Sequence, residues 1–379
     1  MADRRPRVLL ASGPVRDVSP GEAAIALAAG FADAADVAVI GLAEGGRALA
    51  AVLAEPDGEV ESLHTGWLVR CADLVAVGTD RSAGSDLTFG TGSAERGLMT
   101  GPTGLGHQAD SSAGPGRLDA PLTGSSAGLG RLVAYAAQSG QPRTLVVDLT
   151  GTDSHDAGAG LLGSLGALAD VDLDAGPDAL AGLGILDLEP ARRRLAGWEL
   201  VGVVPPGEQR DLLLGLRGVT SRRGRQLGIS AERMLAMDSA LERFVRTGAP
   251  DLAQAEGAGA AGGLGFAILA LGGRLSPGPA FCADRSRLDR AIGPADLVVT
   301  GCDSFDFGSR GGAVVGELAT RCEAAETPLV VVSPVVGMSG REMRVMGVES
   351  AHPVDPGPDL ARALTTTARR LAGGWTARW

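Results

Sequence analysis

The sequence predicts an α/β protein in which parallel strands alternate with helices, and three observations predict it. Short apolar runs of strand length recur at 7–12, 36–41, 143–149, 295–300 and 328–333, with helical patterns between them. The runs are mostly apolar, as buried strands are. The composition is 45 % hydrophobic but only 3 % aromatic, so the core is built from Ala, Leu and Val. The 58 glycines among 379 residues exceed the ordinary share of roughly 7 %, and they follow no strict repeat. Many short turns and close helix–strand contacts account for that number.

The elements follow in order. After the strand at 7–12, Ser19-Pro20 with Glu22 in the first turn starts a helix over 20–33. A strand at 36–41 completes a βαβ unit. Another strand is expected at 72–77. From Gly78 to about Gly116 the chain is rich in Gly, Ser and Thr and reads as a long mobile loop. A helical pattern returns at 128–139, followed by the strand at 143–149 and a small-residue helix at 157–169. Residues 171–218 are irregular, with a strand candidate at 199–204. The segment 230–247 is the best amphipathic helix, with Met234, Leu235, Leu241, Phe244 and Val245 placed on one face. A helix over 311–326 joins the strands at 295–300 and 328–333, and 357–373 is helical. The two chain ends thus form one α/β unit and the middle another.

The net charge of −11 argues against nonspecific nucleic-acid binding. The chain contains no lysine and no asparagine, so every basic residue is arginine. Cys71, Cys282, Cys302 and Cys322 form no CxxC pair, and His64, His107, His155 and His352 are scattered. A zinc site and a disulfide framework are therefore not expected. The start of the chain lacks the apolar stretch of a signal peptide, and no run of about 18 apolar residues occurs. A soluble cytoplasmic protein without a membrane partner is the expectation.

Four segments are candidates for chemistry. Gly257 to Gly265 is a glycine-rich turn into a helix; it lacks the Gly-Lys-Ser/Thr of a P-loop and follows a helix, not a strand. It is either a close-packed turn or a helix start whose amides face an anion. Thr152 to Gly160 follows the strand at 143–149, where ligands sit in open α/β sheets. Within it, Asp156 is either a helix cap or a metal or proton-accepting group. Gly124 to Gly130, with Ser125 and Ser126, offers hydroxyls and bare amides at a helix start. Thr300 to Asp306 carries Asp303 and Asp306 at a strand's carboxyl end. No nucleophile-elbow pattern surrounds Ser154 and His155.

Taken in order, these motifs resemble the type-I glycerate kinase family. Thr150 to Gly160 matches its GGSATNDGGAG-like run, keeping Gly151, Asp156, Gly158, Ala159 and Gly160. Glu256 to Gly265 matches its PGAGAAGGLG run with only the first residue changed. Ser125 to Val133, the set Ser19, Glu22, Ala23 and Ala24, the run Ala43 to Arg47, and Thr300 to Val315 match further family motifs. The resemblance covers nearly the whole chain and is thinnest at 55–116.

Charged positions depart from the pattern. The family's N-terminal Asp and Lys fall at Ser12 and near Val15, and a Glu becomes Arg47. In the last motif Glu, Gln and Lys fall at Cys302, Gly308 and Ala313, while Asp306 is kept; His155 replaces an asparagine.

The resemblance implies a flavodoxin-like parallel-sheet domain from residues 1–58 and 287–379. It also implies an inserted α/β domain with a mixed sheet at 59–286, and a site in the cleft. It implies transfer of the ATP γ-phosphate to D-glycerate or a similar small hydroxy acid, with Mg2+, so the partners are a nucleotide and a hydroxy acid. On it, Asp156 and Asp306 are the catalytic or metal-contacting acids. Ser125, Ser126, Ser154, Gly257, Gly259, Gly262 and Gly263 contact substrate or phosphate. Arg16 and Arg47 bind carboxylate or phosphates in place of lost lysines, since Arg grips such anions in a bidentate way. The alternative is a catalytically degenerate relative that binds a metabolite or regulates.

Overall fold

The computed structural model describes residues 4–80, 122–138 and 143–376. Two sheets organise the chain. The first is wholly parallel and uses strands from both chain ends, in the order Asp36–Gly41, Arg7–Ser12, Leu297–Gly301, Leu329–Ser333, Ser350–Pro353. Numbered along the chain this is the order 2-1-3-4-5 of a flavodoxin-like sheet. The second sheet is mixed. Arg274–Pro277, Glu199–Val204, Thr144–Asp148 and Leu74–Thr79 run parallel, and the hairpin Glu59–Leu63 and Gly66–Arg70 adds two antiparallel strands.

Five layers result. Helices Pro20–Phe31 and Leu360–Thr376 pack on the outer face of the first sheet through Leu27, Phe31, Leu364 and Ala368. Helices Ala127–Ala136, Ala231–Gly248 and the element Ala260–Ala270 cover the outer face of the second sheet. Between the sheets, helices Gly46–Ala54, Gly278–Arg285 and Gly312–Ala324 share one apolar cluster with Leu9, Val298 and Val331 on one side and Trp67, Val146 and Val201 on the other. The central strands of both sheets thus bury both faces, the reason they read as apolar runs, while the edge strands Asp36–Gly41 and Glu59–Leu63 stay largely exposed.

The helix start at Ser19 is a capping box: Glu22 Oε2 accepts from Ser19 N at 3.1 Å while Ser19 Oγ accepts from Glu22 N. Three expectations need correction. The helix expected over 157–169 is only Ala159–Ser164, because Gly166 turns the chain with φ +104° and Leu168–Ala169 pairs as a strand. On Ala231–Gly248, Leu235 is 67 % exposed, since the buried face runs through Met237, Ala240, Leu241, Phe244 and Val245 and Leu235 lies across the helix from it. Gly78 and Thr79 end a strand; the rest of the loop expected to Gly116 lies, beyond Asp80, outside the described residues. No helix among the described residues is long and apolar enough to cross a membrane.

Candidate functional site

In a 2-1-3-4-5 sheet the ligand crevice opens at the carboxyl ends of the strands where the order reverses, here between Arg7–Ser12 and Leu297–Gly301. Ser12 is buried there; its Oγ donates to the Gly13 carbonyl at 2.8 Å and accepts from Gly301 N at 3.1 Å. Arg16 stands on a tight turn closed by Val15 and Val18, with φ +53°. Its backbone N–H donates to the Asp303 carboxylate, and its side chain is exposed. Asp306 spends its carboxylate on its own turn. Oδ2 accepts from Ser304 Oγ at 2.6 Å, and Oδ1 from the amides of Gly308 and Ser309 at 2.9 and 2.8 Å. The Ser304 hydroxyl, then these amides, hold its pKa down at about 2. A carboxylate so committed and so acidic is a poor proton acceptor, so the catalytic expectation for Asp306 is not what its geometry offers.

The loop Ala43–Arg47 connects this edge with the carboxyl edge of the second sheet. Asp148, fully buried at the end of Thr144–Asp148, accepts from Gly46 N at 2.6 Å, Thr150 N at 2.9 Å and Thr150 Oγ1 at 2.8 Å. Burial pushes its pKa up, and the three donors work against that rise. Glu44, in the same loop, accepts from Ala313 N at the start of helix Gly312–Ala324. Arg47 is engaged by an acid of this chain. Its Nε donates to Asp80 Oδ1 at 2.9 Å in a two-pronged ion pair, and its Nη1 reaches Ser62 Oγ at 2.9 Å. The cation expected to replace a lost lysine instead ties the loop to the second sheet.

Asp156 is a structural hub. It is completely buried, and four donors surround it: Ser126 N and Ser126 Oγ at 2.8 Å each and Gly160 N at 3.1 Å on Oδ2, and Gly158 N at 3.0 Å on Oδ1. Ser126 Oγ in turn accepts from Leu161 N at 2.9 Å. The carboxylate thereby locks the start of Ala127–Ala136 to the start of Ala159–Ser164. An enclosed carboxylate holding four donors positions a loop, which favours the helix-cap reading of Asp156 over the proton-accepting one. Ser126 is likewise sealed in this lock, and Ser125 Oγ donates to Asp174 Oδ1 at 2.8 Å.

The glycine run packs directly on this segment. Ala261, Gly262 and Gly263 are left-handed, with φ of 51°, 72° and 95°. Gly257, Gly259, Gly262 and Gly263 are all buried. A Cβ at Gly257 would lie 2.6 Å from Leu275 Cδ1, one at Gly259 2.6 Å from the Leu212 carbonyl carbon, and one at Gly263 2.7 Å from Ala157 Cα. Close packing, the plainer of the two sequence readings, is sufficient reason for each glycine. The Ala261 amide donates to Glu208 Oε2 at 2.8 Å.

Beside this turn stands a charge cluster that the motifs did not reveal. Arg222 pairs with Glu208 at 3.3 Å and with Asp211. Arg223, partly buried, makes one hydrogen bond among the described residues, from Nη1 to the Ser154 carbonyl at 3.1 Å. Burial lowers its pKa, and Arg222 adds to this, while Glu208, Asp153 and Asp211 oppose it. Ser154 Oγ is buried with no hydrogen-bond partner. The only sequence signal for this cluster is the run Ser221-Arg222-Arg223-Gly224-Arg225, which reads as a solvated face until helix Val219–Leu227 is seen against residues 153–155. A cavity of about 550 Å³ opens elsewhere, along the edge strand Ser350–Pro353 of the first sheet, lined by His352, Arg370 and Trp375 among others.

His155 is fully buried, with Nε2 2.9 Å from Thr220 Oγ1 and Nδ1 unpartnered. Burial, then the Arg223 charge, pushes its pKa down to about 3 from an ordinary 6.5. The folded chain therefore refuses a proton that the unfolded chain accepts below pH 6.5. Stability from this group is whole above about pH 6.5 and is lost as pH falls toward 3. At pH 4 the loss is on the order of 3 kcal/mol. Urea unfolding of wild type and His155→Gln between pH 4 and 8 checks it: the variant's stability should fall less steeply with acid, and parallel curves would remove His155 as the cause.

The comparisons with known proteins agree with this layout. A profile of the glycerate kinase family matches residues 103–375. An uncharacterized protein of Mycobacterium bovis is 30 % identical over 262 residues, covering 69 % of this chain and 63 % of that relative. The chain's match thus spans less than two thirds of that relative's length. The glycerate kinase of Bacillus cereus is 25 % identical over 279 residues, 69 % of this chain and 72 % of its own, and the glycerate 2-kinase of Escherichia coli is 27 % identical over 67 % of each. The crystal structure of a putative glycerate kinase 2 from Salmonella typhimurium LT2 shares the fold, with a TM-score of 0.76 at 21 % identity over 99 % of both chains. With the family profile covering most of its length and the site motifs standing at the two carboxyl edges, this chain belongs to the glycerate kinase family.

Proposed function

We propose that this chain is an ATP-dependent kinase of D-glycerate or a similarly small hydroxy acid. The observation that carries the reading is the meeting of two carboxyl edges at one loop: Gly46 is held by Asp148 of the second sheet, and Glu44 by the helix start at Ala313 beside the first. Ligands of open α/β sheets lie at such edges. In the reaction the acceptor hydroxyl oxygen bonds to the γ-phosphorus, the bond to the bridging oxygen breaks, and ADP leaves. The protein's share is positioning and charge stabilisation. Asp153, exposed beside Arg223, is the carboxylate we assign to the hydroxyl proton. Among the described residues no three His, Cys, Asp or Glu side chains gather to cage a metal. Magnesium would be carried in on the nucleotide phosphates and held by one or two carboxylates, the usual arrangement for that ion.

A second reading has its own support. Asp156 and Asp306, the expected acids, are spent on local structure, as a relative that binds a metabolite without turning it over would allow. An ADP-coupled assay with D-glycerate, ATP and Mg2+ separates the two. Acceptor-dependent ADP release is expected, with a large fall in kcat in Asp153→Asn. No release above the glycerate-free rate would sink the kinase reading and leave the binder.

A further inference from the structure

Arg223 stands out by what it lacks. A guanidinium has five N–H donors, and burying it without a matching anion is costly. This one is partly buried yet among the described residues meets a single neutral acceptor, the Ser154 carbonyl. The acids around it are committed elsewhere or exposed: Glu208 and Asp211 hold Arg222, Glu208 also takes the Ala261 amide, and Asp153 faces solvent. On the same segment, Ser154 is 4 % exposed and its Oγ has no hydrogen-bond partner among the described residues. The left-handed turn at Gly262 presses against both: a Cβ there would stand 2.8 Å from Arg223 Nη1 and from the Ser154 carbonyl carbon.

We propose that Arg223 and Ser154 form an anion subsite that takes a carboxylate or phosphate group of the ligand. The fork of Arg223 supplies charge-assisted donors and the Ser154 hydroxyl one more. The site supplies a cation where Arg47 is paired with Asp80. The inference deepens the kinase reading and rests on it for the ligand's identity, while the anion site stands on the unspent donors alone.

Calorimetric titration of the full chain with inorganic phosphate and, separately, D-glycerate tests it, beside the thermal midpoint of each ligand-free protein. Wild type should bind at least one probe, and which one tells whether the group is phosphate or carboxylate. Arg223→Met should weaken that binding about tenfold or more without lowering the ligand-free midpoint. Arg223→Lys, which keeps the charge and loses the fork, should fall between, and it decides the matter if the Met variant does not fold. Ser154→Ala should weaken binding with its midpoint unchanged. The proposal is overturned if wild type binds neither anion. It is also overturned if Arg223→Met lowers the ligand-free midpoint while affinity stays the same, the mark of a purely structural guanidinium. Anion binding without turnover would sink only the kinase reading; turnover with unchanged KM in Arg223→Met and Arg223→Lys would sink only this inference.

Discussion

Asp156→Ala is expected to destabilise the fold by about 3–5 kcal/mol, among the largest effects of any single side-chain truncation here. The side chain is fully buried, and it satisfies three backbone amides and one hydroxyl from two separate segments. Removing it leaves those donors dry and unpaired, at about 1–3 kcal/mol each before relaxation. Asp156→Asn should cost less, about 2 kcal/mol, because one amide oxygen remains while the new NH2 faces a donor. Urea denaturation gives both numbers. Enzymology then separates a hub from a base: as a hub, Asn at 156 should raise KM and lower stability together. A variant of wild-type stability with turnover abolished would restore Asp156 to catalysis.

The role of this residue shows what a sequence can and cannot disclose. Its location was legible: an acid just past an apolar run, beside glycines, falls at a strand's carboxyl end. Its partners were not, because the donors come from Ser126, thirty residues upstream, as well as from its own turn. Local rules were legible for the same reason that they are local. Ser19 and Glu22 are three residues apart and close a capping box at the expected helix start, and the apolar runs at 7–12 and 295–300 became buried central strands. Arg47 and Arg223 mark the limit. Both are arginines near glycines, yet one is consumed by Asp80 and the other by nothing but a carbonyl. That difference depends on what the second sheet and helix Val219–Leu227 bring alongside, and no spacing encodes it. The helices Gly46–Ala54 and Gly278–Arg285 escaped for a different reason. At nine and eight residues they offer little more than two turns, too short for a helical period to stand out from the surrounding apolar sequence.

Gly262→Ala is expected to be about as damaging as loss of the Asp156 carboxylate, by a different route. Gly262 holds φ +72°, where an L side chain costs roughly 1–2 kcal/mol. Its added Cβ would also press within 2.8 Å of the Ser154 carbonyl carbon and of Arg223 Nη1, and closer still to the carbonyl oxygen. Backbone must then move, at about 1–3 kcal/mol more. The sum, about 2–5 kcal/mol, should lower the thermal midpoint by several degrees. Gly272 supplies the control: it has φ +82° but nothing within 4 Å of its Cβ position, so Gly272→Ala carries the backbone cost alone. If the two variants unfold together, the close approach of the turn to Ser154 is not what glycine serves. If Gly262→Ala falls well below Gly272→Ala and also weakens anion binding, then the glycine run acts as the wall that sets Ser154 and Arg223 in place. A glycine-rich scaffold would then outlast its family's charges because the packing needs glycine whichever cation does the binding.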